Sequence, residues 1–523
     1  MGRDLVEVRR GVYRDSVSLM LVSRTVAAVP GVLAAQVGMA TELNRDVLQG
    51  MGFTLPVDLT PSDLMVAVRA EDDEATAAAL AALEAALAAP AGGGAGAPDD
   101  AGRVRARTTG AAVRAAGAGL ALVSVPGPHA FTEAMDALTA GANVMVFSDN
   151  VPVAHEIRLK DEAAARGLLV MGPDCGTAMV AGVGLGFANV VAPGPVALVA
   201  ASGTGAQQLM CLLDAAGVGV SHCLGVGGRD LSAEVGGRSA RQALRLLDAD
   251  PATQVIVVVS KPADPGVEAG LRSVAATLAT PVQFATLGAG RGDLTDAARA
   301  VVEAVGVPWQ LRRPWPAASA DDTPEAGQRF SVLRGLFVGG TLCDEAMLVA
   351  APVTGRPPSN IPLAGAPRLS ARQVLDGDLP PDAHAFVDFG DDALTRGRPH
   401  PMIDPSLRLQ ALQHTAATAG APPAEEQPGR GVVVLLDVVL GHGAHPDPGA
   451  DLAPAITRAR RTAADRGVEL AVVVSLCGTA GDPQGLTRQA QALLEVGATV
   501  HLSNAMAARA AVALLTSTAE EAR

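Results

Sequence analysis

The run Val196-Ala-Leu-Val-Ala-Ala-Ser-Gly-Thr-Gly-Ala-Gln-Gln-Leu-Met-Cys-Leu-Leu constrains the fold more than any other stretch. An uncharged apolar segment ends at Ser202, three turn residues (Gly203, Thr204 and Gly205) follow, and Leu209, Met210, Leu212 and Leu213 then recur at helical spacing. The natural parse is strand, tight glycine turn, helix. In that geometry the first-turn amides point out of the end of a sheet. The helix dipole adds partial positive charge there, which attracts phosphate or carboxylate. Ser202 and Thr204 add hydroxyls, and Gly203 lets an anion approach the backbone closely. The competing reading is a strand–helix turn that binds nothing. The residues around it favour the anion site.

The same alternation recurs from Leu120 onward and predicts parallel α/β sheets. Strands at Leu120–Val125, Asn143–Ser148 and Leu168–Met171 end in polar turns, which places Asp149, Asn150, Asp174 and Thr177 on a cleft rim. Ordinary Asx turn chemistry accounts equally well for Asp174. The strand Gln254–Val259 leads to Ser260 and Lys261, whose compact ammonium could hold a carboxylate or phosphate; a solvated loop lysine is the alternative. Leu333–Val338 enters a second strand–glycine–helix turn at Gly339, Gly340 and Thr341, so two helix starts could face one another across a cleft. A run ending in Asp392 precedes the densest polar cluster, where Arg396 and Arg398 stand beside His400, itself fixed between Pro399 and Pro401. His442 and His445 lie in a Gly/Pro loop without a third ligand at metal spacing, so no metal site is assigned. The glycine-rich stretch near 91–102 reads as an exposed loop, and 313–329 as a linker.

At 523 residues several domains are expected. Hydrophobic residues reach 49% but aromatics only 2%, so the cores must be built from Ala, Val and Leu. A net charge of −14 excludes a general nucleic-acid partner. Five dispersed cysteines, a charged N-terminus and no unbroken apolar run of membrane-spanning length lead to an expected cytoplasmic location and no membrane partner.

Tyr13–Met20, Val146-Phe-Ser-Asp-Asn, Met171-Gly-Pro-Asp-Cys-Gly-Thr, Ala201-Ser-Gly-Thr-Gly, Gly225–Ser232 and Gly397-Arg-Pro-His-Pro-Met-Ile-Asp together resemble the FdrA family, a relative of succinyl-CoA synthetase and the NDP-forming acyl-CoA synthetases. The resemblance implies three Rossmann- or flavodoxin-like α/β domains. A CoA-binding-like domain would span 1–192, a first ligase-type domain 193–312, and a second 330–523 after the linker. It also implies an oxamate carbamoyltransferase-type subunit of ureide (allantoin) catabolism, acting on carbamoyl phosphate and oxamate or oxalurate. Other subunits of a carbamoyltransferase complex would be partners, and a homo-oligomer is expected.

On that reading Ser202, Gly203, Thr204 and Gly205 hold phosphate, and Gly339, Gly340 and Thr341 bind a second anionic group or a carbonyl oxygen. Asn150 and Asp392 line the substrate site, Arg398 and Lys261 clamp charge, and His400 assists proton transfer. Two departures stand out. The phosphohistidine loop of the synthetases corresponds here to Leu287-Gly-Ala-Gly-Arg-Gly-Asp, which contains no histidine, and their glycine-rich CoA loop has no counterpart in Tyr13–Met20. No cofactor is therefore assigned. An acyl-CoA synthetase α-type subunit, for which CoA would be the cofactor, and a non-catalytic scaffold are the alternative functions.

Overall fold

A computed structural model describes residues 3–12, 14, 16–88, 106–312, 315, 330–396, 398–420 and 431–516. The glycine-rich stretch at 91–102 and, apart from Trp315, the linker at 313–329 lie outside the described residues. The chain divides into two compact units, residues 1–112 with 395–399, and residues 113–394 with 400–523.

In the first unit the elements run β1 (Arg3–Arg9), α1 (Ser16–Ala27), β2 (Val32–Met39), α2 (Glu42–Gly50), β3 (Leu64–Ala70) and α3 (Asp73–Ala88). The strands form an antiparallel sheet ordered β1-β3-β2. The central strand shows the two-residue period of a sheet covered on both sides. Leu64, Val66 and Val68 pack with Val22 and Val26 of α1 and Leu83 of α3, while Met65 and Ala67 pack with Leu48, Phe53 and Leu59. This is the small N-terminal α/β segment expected at the start of residues 1–192; β1 and β2 run parallel on either side of β3, and α1 crosses between them.

The second unit holds three sheets. The first follows α4 (Thr109–Ala116) and consists of β4 (Leu120–Val123), β5 (Asn143–Val146) and β6 (Val170–Met171), all parallel, with α5 (Gly127–Thr139) and α6 (Val153–Ala165) as crossovers. A hairpin of β7 (Thr177–Val180) and β8 (Val183–Gly186) then borders the next sheet. Its parallel part contains β9 (Val196–Ala200), α7 (Gly203–Ala215), β10 (Val220–Gly225), α8 (Arg238–Asp248), β11 (Val255–Ser260), α9 (Pro265–Ala275), β12 (Val282–Thr286) and α10 (Leu294–Ala304), in the order β12-β11-β9-β10-β7-β8.

The last sheet is built from β13 (Phe330–Phe337), α11 (Gly340–Thr354), α12 (Ala371–Leu375), β14 (Ala385–Asp388), α13 (Asp392–Thr395), α14 (Ser406–Thr418), β15 (Gly431–Val439), α15 (Pro448–Asp465), β16 (Leu470–Cys477), α16 (Leu486–Leu494), β17 (Thr499–His501) and α17 (Asn504–Thr516). Its five strands are parallel in the order β14-β13-β15-β16-β17. The α/β class with parallel sheets expected from the alternating pattern is what the chain adopts. Among the described residues no helix is long and apolar enough to cross a membrane.

Strand order decides where a ligand can sit. The chain leaves β9 toward β10 and returns to β11 on the other side; it leaves β13 toward β14 and returns to β15. Each sheet therefore has its switch point beside the strand that feeds a glycine turn, and open parallel sheets form ligand crevices at such points.

Buried charge ties crossovers to strand ends. Lys160 of α6 is 3% exposed, and its Nζ donates to Glu156 Oε1 at 2.7 Å, Asp230 Oδ1 at 2.8 Å and the Val226 carbonyl at 3.0 Å. Asp230 in turn accepts the Ser239 and Ala240 amides at the start of α8. Lys160→Met would leave the buried Asp230 carboxylate without its cation and Glu156 with Arg229 alone, 3.0 Å away. The expected loss is about 3–5 kcal/mol in chemical unfolding; an unchanged unfolding midpoint would show that the network contributes nothing.

Candidate functional site

The two glycine turns meet. Ser202 Oγ lies 2.6 Å from Thr341 Oγ1, and both side chains are buried. Ser202 is the N-cap of α7, its Oγ accepting the Gly205 amide at 2.9 Å. Gly339 caps α11 and brings no side chain, so the first-turn amides at Gly340, Thr341 and Leu342 have no intrahelical or capping partner. The approach depends on missing side chains. A Cβ on Gly339 would stand 2.8 Å from Thr204 Oγ1, and one on Gly205 would stand 2.9 Å from Thr341 Cγ2.

Asp437 fixes the second turn. It interrupts the otherwise apolar β15, is fully buried, and accepts the Val338 amide on Oδ1 at 2.8 Å and the Gly339 amide on Oδ2 at 2.9 Å. Arg408 of α14 balances its charge, with Nη1 3.1 Å from Oδ1. Burial pushes the Asp437 carboxyl up to about 6, opposed by Arg408 and the two amides.

Further groups converge on α11. A Cβ on Gly340 would lie 2.6 Å from Asp388 Oδ2 and 2.8 Å from Lys261 Nζ. Asp388 ends β14 and is 4% exposed; its Oδ1 accepts the Gly390 amide at 2.9 Å, and its own amide donates to Asn360 Oδ1 at 2.9 Å. Lys261 follows β11, with its side chain 44% exposed and Nζ 3.8 Å from Asp344 Oδ2. Burial pushes Asp388 up to about 7 and Asp344 up to about 6, each opposed by Lys261. Burial alone would lower the Lys261 ammonium; Asp344 and Asp388 outweigh it and hold the value above the usual one.

His400 stands beside Asp388 and Gly390. Its ring sits 5.6 Å from that of Phe187, and Nδ1 accepts the Met402 amide at 3.2 Å. That bond places the proton of the neutral ring on Nε2, which lies 3.0 Å from the point a Gly390 Cβ would occupy, with Asp388 Oδ1 3.1 Å from the same point. Burial depresses His400 to about 4.

The remaining expected residues lie around this centre or apart from it. Asn150, at a positive φ of 52°, and Asp392 are exposed. Asp392, Asp149, Arg229 and Lys261 all act on Asp174, whose carboxyl burial pushes up to about 7. Arg398 is exposed and groups with the first compact unit. Asp388, Asp344 and Asp437 were not singled out from the sequence; the available signal was a carboxylate inside or ending an apolar run, as in Ala385-Phe-Val-Asp and Val432–Leu440. A cavity of about 480 Å³ opens elsewhere, lined by Glu268, Arg272, Phe284, Thr286 and Arg291, and its two guanidiniums pair with Glu268.

Comparison with known proteins gives two domain matches. Residues 1–102 match the AllF heavy metal-associated domain, and residues 336–514 match the CoA-ligase domain. Residues 1–102 contain no cysteine, and among the described residues no group of three His, Cys, Asp or Glu side chains could hold a metal ion, so the residues present do not fit a metal.

The chain is 35% identical to protein YahF of Escherichia coli (strain K12) over 513 residues, covering 94% of this chain and 95% of that protein. It is 30% identical over 154 residues to the succinate–CoA ligase [ADP-forming] subunit alpha 2 of Archaeoglobus fulgidus, covering 29% of this chain and 52% of the subunit. The alpha subunit of Methanothermobacter thermautotrophicus is 26% identical over 27% of this chain and 47% of its own length. The match to these ligase subunits thus spans about half of their length. Among solved structures, a dinucleotide-forming acetyl-coenzyme A synthetase 1 of Ca. Korarchaeum cryptofilum is 19% identical, covers 76% of this chain and 82% of its own, and has a TM-score of 0.27.

The chain therefore belongs to the family of YahF and carries a CoA-ligase domain of the succinyl-CoA synthetase type. These matches overturn the expected oxamate carbamoyltransferase-type enzyme, along with its oxamate and allantoin context: the matched domain and ligase subunits are of CoA-ligase type. The physical reason is that helix-start amides recognise an oxyanion and not the group attached to it.

His400 is expected to remain neutral at and above about pH 5, its carbon-bound ring protons showing no titration near the usual midpoint in NMR of histidine-labelled protein. Because its folded value is depressed, the unfolded chain takes up a proton first as pH falls below about 6.5, and stability declines from there to about 4. A midpoint near 6.5 would contradict this burial.

Proposed function

We propose that this member of the YahF family is an α-type component of an NDP-forming acyl-CoA synthetase, holding the phosphoryl group of an acyl phosphate between the starts of α7 and α11 while CoA receives the acyl group and a partner chain handles the nucleotide. The observation that carries the reading is the 2.6 Å contact between Ser202 and Thr341, which points two helix starts at one place. Each contributes partial positive charge and unpartnered amides. The half-exposed Lys261 adds a full charge beside Gly340. Together they suit a compact dianion.

In this reading Gly203, Thr204 and Gly205 of α7 and Gly340 and Thr341 of α11 surround the phosphate, with Gly339 allowing the approach. Asn150 and Asp392 belong to the outer rim. His400, neutral, serves as a fixed hydrogen-bond donor. The turn at 287–293 offers no phosphohistidine; its Arg291 is held by Glu268 at 2.8 and 2.9 Å. The acyl phosphate would therefore meet its acceptor without a relay at that turn.

Titration calorimetry with acetyl phosphate and with CoA tests the proposal. The wild-type protein should bind both. Ser202→Asp puts a carboxylate between the helix starts and should weaken acetyl phosphate by about tenfold or more while the folded variant keeps its CoA affinity. No acetyl phosphate binding by the wild-type protein, or equal affinity in the variant, would overturn the placement.

A further inference from the structure

The cradle contains a contradiction in charge. A site built to attract anions holds the Asp388 carboxylate at its edge, with Oδ2 2.6 Å from where a Gly340 Cβ would be. Its two oxygens are treated differently. Oδ1 accepts the Gly390 amide, whereas Oδ2 accepts no hydrogen bond from a described residue and faces Lys261 and the start of α11. An ionised Oδ2 would compete directly with an incoming anion for the same ammonium and the same amides. A protonated Oδ2 would instead offer a hydrogen-bond donor.

We propose that Asp388 is the proton-carrying group of this cradle: an anion binds with Asp388 in its neutral form, so that anion uptake and proton uptake are one event. The inference rests on the anion-binding reading of the two helix starts and specifies how that site is controlled.

Asp388 differs from Asp437 and Glu345 in having an oxygen to spare. Asp344 also accepts no hydrogen bond from a described residue and approaches Lys261 at 3.8 Å, but it is Asp388 whose Oδ2 stands 2.6 Å from the Gly340 Cβ position at the start of α11. Asp437 of β15 commits both oxygens to the Val338 and Gly339 amides and pairs with Arg408. Glu345 of α11 is turned to the Leu294 amide and to Asn504. The other titratable groups near Asp388 are Lys261 after β11, Asp344 and Cys343 on α11, Asp174 after β6, and His400 before α14. Cys343 stays a thiol because burial pushes it well up, and His400 stays neutral. Burial already brings Asp388 to about 7 in the absence of a ligand. Two further negative charges beside Oδ2 shift the balance toward the protonated form.

The probe is sulfate, which remains a dianion from about pH 5.5 to about 8.5, so the pH dependence belongs to the protein. Calorimetric affinity of the wild-type protein should be level below about pH 7 and fall by about tenfold per unit above it, with a buffer-dependent enthalpy that reports proton uptake. Asp388→Asn should bind sulfate with an affinity that no longer changes over that range. Lys261→Met should bind more weakly, and its break should move to higher pH, because the ammonium that favours the ionised carboxylate is gone.

A flat wild-type profile overturns the proposal and leaves the anion cradle standing. A slope retained in folded Asp388→Asn also overturns it and moves the role to Asp344 or Asp174. Failure of the wild-type protein to bind sulfate at any pH overturns the cradle itself. If Asp388→Asn does not fold, the buffer dependence of the wild-type enthalpy and the shift in Lys261→Met decide the matter.

Discussion

The contact between Ser202 and Thr341 is the interaction on which the site depends. Two helices from different sheets can bring their first turns this close only where side chains are absent, and Gly205 and Gly339 supply that absence at the crossing. The hydroxyl pair then does two things at once. It satisfies two buried polar atoms and sets the separation of two groups of amides that would otherwise repel through their like partial charges. On the proposed reading an anion beside both helix starts would relieve that repulsion.

Rigidity behind the contact comes from buried charge in an interior otherwise made of small aliphatic residues. Asp437 within β15 holds the Val338 and Gly339 amides and is itself held by Arg408. With aromatics at 2% of the chain, few large rings are available to wedge helices in place. Charge-assisted hydrogen bonds at strand ends take over that positioning. The same device recurs at Lys160, where one ammonium joins α6 to the turn after β10. Such pairs lock geometry more than they add net stability.

Much of this was legible in the sequence, for reasons that mark where legibility ends. Apolar runs ending in Ser202-Gly-Thr-Gly and Gly339-Gly-Thr state strand, turn and helix locally, so both helix starts could be placed from residue order. Their facing one another followed from the internal repeat of the pattern. The antiparallel topology of residues 3–88 was not visible, since its short apolar stretches fit either strand pairing. Asp388 and Asp437 were missed because a lone carboxylate in an apolar strand has no local signature; the meaning of Asp437 comes from the Val338 and Gly339 amides, 99 and 98 positions away, and that of Asp388 from Lys261 and the start of α11. Arg398, expected as an anion clamp beside His400, is exposed and groups with the first compact unit.

The expected reaction failed for a deeper reason than a missed residue. Backbone amides at a helix start carry no information about what is attached to the phosphate they hold, so carbamoyl and other acyl phosphates are equivalent to them. Discrimination would have to come from groups beyond the phosphate, and the groups beside these helix starts are carboxyls that burial pushes up to about 6 or 7 together with one imidazole that burial depresses to about 4. Such a lining disfavours a second full negative charge next to Asp388 and accepts a polar uncharged one. On the proposed reading the amides and Lys261 would select an oxyanion, and the protonation of Asp388, Asp344 and Asp174 would set how much additional charge the rest of the substrate could carry.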